Sequence, residues 1–206
     1  DDLREHDSIV VETKYCPYES YAVGARYVGS PAALVASAEQ SLRRLRRDRL
    51  DVFLGHGLRT LDSLDRFMAD GCYEAMVKLR EQGKVRYLGI SELSEGDGTH
   101  EVLERAVPGG AFDVVMLTIN LMLQTAAQAA IPRCVEHDVG TVVMMALNQS
   151  SGVSGLTSLD AARELIRRYV AAGQLPDQPP YTSSTVLDFL QPYTVPEAAL
   201  RFVLAH

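Results

Sequence analysis

Apolar positions along the chain alternate between short continuous runs and longer stretches with helical spacing. The runs are Ile9-Val10-Val11, Asp51-Val-Phe-Leu-Gly55, Val85-Arg-Tyr-Leu-Gly-Ile90, Phe112-Asp-Val-Val-Met-Leu117 and Gly140-Thr-Val-Val-Met-Met-Ala146. They predict five strands. Between the first two, Leu34, Ala38, Leu42 and Leu45 recur on one face behind a Ser30-Pro31 start, predicting a helix over 31–47. A second helix, 72–82, turns Tyr73, Met76, Val77 and Leu79 inward and stops at Gly83. Thr99 is the expected cap of a third, which runs to Val107 and ends at Pro108-Gly109-Gly110. A helix near 125–137 carries Pro132 and is expected to kink or to begin late. Helix 159–172 follows a Ser- and Gly-rich loop, and Thr194-Val-Pro-Glu197 opens the last helix with a capping-box pattern. Such alternation implies parallel strands joined by crossover helices. Both a closed (β/α)8 barrel and an open doubly wound sheet satisfy it.

Composition narrows the class without deciding the activity. The chain has 206 residues, 47% apolar and 23% charged, enough for one sizeable domain or a large part of one. A formal charge of −7 argues against a nucleic-acid backbone or an anionic membrane surface as partner. The Arg-rich segment 42–49 keeps its leucines on one face beside Asp48 and Asp51, and reads as a solvated helix face. Cys16, Cys72 and Cys134 are odd in number and widely spaced, so neither a disulfide framework nor a metal site is expected. No apolar run is long enough to span a bilayer, and residues 1–8 do not resemble a signal peptide. The expectation is a reduced, cytoplasmic, soluble protein.

The chemistry-bearing residues cluster where the strands end. The first strand delivers Thr13-Lys14, the second Gly55-His56, the third Ser91-Glu92, and the fourth Thr118 and Asn120. In parallel α/β folds ligands bind beyond the carboxyl ends of the strands. Each residue alone has a bland explanation, a structural histidine or a lysine reaching solvent. Together they suggest a polar pocket on an apolar floor. Neither common glycine-rich nucleotide fingerprint is present. A lysine ammonium can depress a neighbouring phenol's pKa or form a Schiff base, and a neutral imidazole can orient a carbonyl oxygen. Carbonyl chemistry follows from both.

Several blocks, in order and spacing, resemble the aldo-keto reductases. They are Glu12-Thr-Lys14, the run 41–56 ending in Gly55-His56, the run 79–91 ending in Gly89-Ile-Ser91, Asn120, and the closing Pro196-Glu-Ala-Ala-Leu-Arg-Phe-Val-Leu204. The segment 112–147 is similar to the sugar-dehydrogenase-like branch. The resemblance implies a (β/α)8 TIM barrel, with about five of its eight strands in this chain: family strands 3 to 7 and the helix before strand 8. Residues 1–206 are then a single partial barrel domain. It also implies hydride transfer between NADP or NAD and an aldehyde, ketone or sugar carbonyl, with a small-molecule carbonyl or alcohol as partner.

On this resemblance Lys14 and His56 are the catalytic pair: Lys14 favours the phenolate of a proton-donating tyrosine, and His56 orients the substrate carbonyl. Ser91, Glu92, Met116 and Met145 fall at cofactor-binding positions. Glu92 stands where many relatives carry Asn, Met116 or a neighbour where a carboxamide-binding Gln is usual, and Met145 near a stacking aromatic. Tyr15, Tyr18 and Tyr21 read as loop packing residues. The family's tyrosine and aspartate are expected from a segment before Asp1, and its last strand from one after His206. A non-catalytic relative acting as a binding or regulatory subunit is the alternative, and a Schiff-base lyase a third.

Overall fold

The computed structural model describes residues 8–22, 24–93, 99–148, 155–179 and 182–206. Five strands form one sheet in sequential order: β1 (Glu12–Tyr15), β2 (Leu50–Leu58), β3 (Val85–Glu92), β4 (Val114–Thr118) and β5 (Gly140–Met144). β1 pairs with β2, β2 with β3 and β3 with β4, each in parallel. The helices are α1 (Pro31–Leu45), α2 (Leu61–Ala69), α3 (Cys72–Glu81), α4 (Glu101–Ala106), α5 (Thr125–Gln128), α6 (Ala130–Glu136), α7 (Leu159–Ala171) and α8 (Val195–Leu204). No described helix is long and apolar enough to cross a membrane.

Most boundaries follow local chemistry that the sequence shows. Ser30 accepts from Ala33 N at the start of α1, with Pro31 in the first turn, and Thr194 does the same for Glu197 N in α8. Gly83, just after α3, has φ 73. The helix expected over 125–137 is split at Ala129 into α5 and α6, with Pro132 in the first turn of α6.

Four expectations need correction. The first strand is Glu12–Tyr15, not Ile9-Val10-Val11; Val10 is 73% exposed. Asp51 Oδ2 accepts from Val11 N, so the ladder with Val52 begins only at Glu12. The second and third strands run on through His56 and Ser91, which therefore lie within strands rather than after them. The N-cap position of α4 is His100, not Thr99. Helix α2 was not anticipated: Thr60 and Ser63 cap it reciprocally, and Leu64 and Phe67 are its buried residues. Its capping residue is Ser rather than the Glu or Gln of the usual pattern, and polar residues interrupt its apolar spacing.

Two units emerge, residues 1–117 with 125–142 and residues 118–124 with 143–206. In the first, α1 packs on β1 and α3, α2 on β2, and α3 on β3. The second has its own core of Leu156, Ala162, Ile166, Leu187, Leu190, Val195, Ala198 and Ala199.

Candidate functional site

Register decides which side chains share a face of the first unit. Lys14 pairs with Leu54, Leu54 with Gly89 and Gly89 with Val114, while Ser91 pairs with Met116 and Glu12 with Val52. Because successive residues alternate faces, Glu12, Lys14, Leu54, Gly89, Ser91 and Met116 lie on one side of the sheet. The other side carries Phe53, Leu88, Ile90, Val115 and Leu117, all fully buried. Thr13, on that side, bonds Ser41 of α1 at 3.1 Å, which marks it as the helix-covered face. Glu12, Lys14 and Ser91 therefore lie on the face turned away from α1.

Gly89 occupies the middle of that face for a steric reason. A Cβ there would collide with the Leu54 side chain and the Val114 carbonyl. At the carboxyl end of β2 the register shifts between Gly55 and Leu58, and Gly57 takes φ 66. A bulge of this kind re-aims side chains, and His56 sits within it.

Lys14 Nζ lies 3.8 Å from Glu12 Oε1 and 2.7 Å from the thioether sulfur of Met116, a weak acceptor. Burial lowers the Lys14 pKa, outweighing the upward pull of Glu12. Burial likewise raises that of Glu12, outweighing the attraction of Lys14. Burial, aided by the charges of Lys14 and Arg59, holds the His56 imidazole down at about 4, so it is neutral at pH 7. A neutral ring donates one hydrogen bond and accepts another, the property needed to orient a carbonyl.

The remaining anticipated residues divide. Ser91 is fully buried and donates to the Glu92 carbonyl at 3.0 Å. Glu92 is also fully buried, and its Oε2 is 2.7 Å from His100 Nδ1. This contact engages one oxygen of the Glu92 carboxylate. Met116 contacts Lys14. Met145 belongs to the second unit, where φ is 57 and its carbonyl accepts from Asn120 Nδ2 at 3.0 Å.

Two neighbours of His56 add to the site: Tyr21, read from the sequence as a loop packing residue, and Arg59, which sequence reasoning passed over. The Tyr21 ring, 72% exposed, has its centroid 5.3 Å from the His56 ring. Arg59 is buried across the face of Tyr18, 4.2 Å from its centroid, and donates to the carbonyls of Ala22 at 2.6 Å and Ser20 at 3.4 Å. It thereby ties the Tyr21 loop to the end of β2. No sequence motif signals either contact, since both depend on the loop folding back. An open charged groove lined by Glu39, Arg43, Arg47 and Lys84 lies at the other end of β2 and β3 and carries none of these residues.

Comparison with known proteins agrees with this architecture. A model of the aldo/keto reductase family matches residues 2–169. Among solved structures, an aldo-keto reductase from Bacillus halodurans in its holo form is similar with a TM-score of 0.67 at 23% identity, over 99% of this chain and 62% of that one. One from Klebsiella pneumoniae, in complex with NADP and acetate, gives 0.53 at 25% identity over 91% and 58%. Another from Klebsiella pneumoniae, in complex with NADPH, gives 0.53 at 21% identity over 96% and 66%. The chain thus spans less than two thirds of the length of each. Its sequential parallel strands, each followed by helix, are those of a (β/α)8 barrel, and the chain belongs to the aldo/keto reductase family.

Proposed function

We propose that this chain carries part of the site of an NAD(P)H-dependent oxidoreductase acting on an aldehyde, ketone or sugar carbonyl. The observation that carries the reading is a lysine ammonium close enough to a half-buried histidine for its charge to help hold that histidine neutral. The Klebsiella relatives, described in complex with NADP and NADPH, support the same cofactor class here. A bound reduced nicotinamide would supply hydride. Ser91 fits its carboxamide: the hydroxyl hydrogen is used on the Glu92 carbonyl, leaving lone pairs to accept an amide N–H. His56 donates its ring N–H to the substrate oxygen and fixes the carbonyl's direction. Lys14 places positive charge on that face and favours the anionic form of a neighbouring proton donor.

A second reading, a binding subunit without catalysis, draws on two observations. The Lys14 ammonium is already in contact with Met116 and Glu12, and the Glu92 carboxylate is engaged by His100. Titration of the chain with NADPH separates the two. The chain has no tryptophan, so the readout is the emission of NADPH itself together with the thermal unfolding midpoint. Saturable binding followed by carbonyl-dependent NADPH oxidation supports the reductase. Saturable binding with no turnover of any aldehyde or ketone supports the binding subunit, and absence of binding removes the nicotinamide assignment.

A further inference from the structure

A second array of polar groups, apart from Lys14 and His56, lies at the end of β3. Glu92, the last residue of that strand, is fully buried, and its Oε2 is 2.7 Å from His100 Nδ1. The other ring nitrogen, Nε2, is 2.9 Å from Thr125 Oγ1. Carboxylate, imidazole and hydroxyl are therefore joined through the two nitrogens of one ring. Glu92 and His100 are buried, whereas Thr125, the first residue of α5, is exposed. His100 holds φ 61, a left-handed conformation uncommon for residues with side chains and concentrated at functional sites.

The chemistry follows from which nitrogen meets which group. A carboxylate on Nδ1 selects the tautomer with its proton there, which turns the Nε2 lone pair toward the Thr125 hydroxyl. The hydroxyl then donates to His100, and Glu92 orients the ring and stabilises its protonated form. The array runs from a buried orienting group through a shielded base to the hydroxyl of an exposed residue, the polarity of an activated nucleophile. A packing role for the Glu92–His100 pair requires only its buried half.

We infer that Thr125 is an acyl-accepting nucleophile activated by His100, acting on small activated esters and thioesters independently of any nicotinamide chemistry. Thr125 Oγ1 forms a bond to the acyl carbon as its proton passes to His100 Nε2. The bond from that carbon to the leaving oxygen or sulfur breaks, and the proton is delivered to the departing alcohol or thiol. Water then attacks the threonine ester, His100 takes its proton and returns it to Thr125, and the carboxylic acid is released. The acyl donor and water are the only co-reactants, and nothing is oxidised or reduced.

The test incubates the chain with p-nitrophenyl acetate, following p-nitrophenolate release and mapping acetylation by peptide mass spectrometry. Acetyl is expected on Thr125, with release slowed about 100-fold in Thr125→Val and retained in Thr125→Ser. His100→Gln should slow release as much as Thr125→Val. Because His100 is buried, the decision rests on the exposed Thr125 pair, whose folding is checked by circular dichroism. Acetylation confined to lysines or the amino terminus, or an unchanged rate in Thr125→Val, would overturn the assignment and leave a structural hydrogen-bond line. NADPH titration of Thr125→Val proceeds unaltered in either case, so this test and that of the reductase reading fail separately.

Discussion

At the scale of single residues, burial rather than sequence neighbours sets the charges of the site. His56 titrates near 6.5 when unfolded and is held at about 4 in the native state. Between those values the unfolded chain binds the extra proton, so native stability rises with pH through that window and falls on acidification. The urea midpoint of the native chain should therefore drop between pH 6.5 and 4 more steeply than that of His56→Gln; equal slopes would contradict the assigned burial. Glu12 acts in the opposite direction on Lys14, raising its pKa against desolvation. Glu12→Gln should shift the Lys14 titration further down, as followed by the NMR signal of its terminal methylene, and an upward shift would exclude the pairing. Lys14, His56 and Ser91 were legible as residues ending apolar runs. Arg59, His100, Thr125 and the contact of Tyr21 with His56 were not, because each depends on a partner at least eight positions away, or on a loop folded onto it.

At the scale of elements, local signals located the helices more reliably than the strand limits. Ser158 accepts from Ala161 N at the start of α7, and Ser158→Ala should cost about 1 kcal/mol in chemical denaturation. Gly89 belongs to the sheet instead. Its missing side chain makes room for Leu54 and the Val114 carbonyl, and the backbone carbonyl cannot swing aside as a side chain can. Gly89→Ala is expected to destabilise by about 1–3 kcal/mol, measured the same way; a neutral effect would show that the sheet yields. The first strand illustrates why strand limits were misread. Ile9-Val10-Val11 has the stronger strand propensity, but pairing with β2 begins at Glu12, and the polar run Glu12-Thr-Lys-Tyr15 is what the register selects. Helix α2 escaped notice for the converse reason, since its buried Leu64 and Phe67 are embedded among charged neighbours.

At the scale of the whole molecule, the proposed reductase chemistry requires Lys14 and His56 to act on one bound carbonyl. In the active protein, Lys14→Met and His56→Ala should each lower carbonyl reduction about 100-fold or more while NADPH still binds. Full activity in either variant would remove that residue's role. Family membership was legible because the aldo-keto reductase blocks keep their order along the chain. The contacts of individual side chains were not. Met145 holds a left-handed backbone position and its carbonyl accepts from Asn120. Glu92 meets His100. The sequence by itself determined the alternation of strand and helix, the helix caps and the residue types at the strand ends, because periodicity and capping act over a few neighbours. Only the tertiary structure decided that Lys14, Ser91 and Met116 share one face, that a bulge carries His56 and that Glu92 meets His100. Those outcomes rest on register between strands and on burial, which local sequence does not encode.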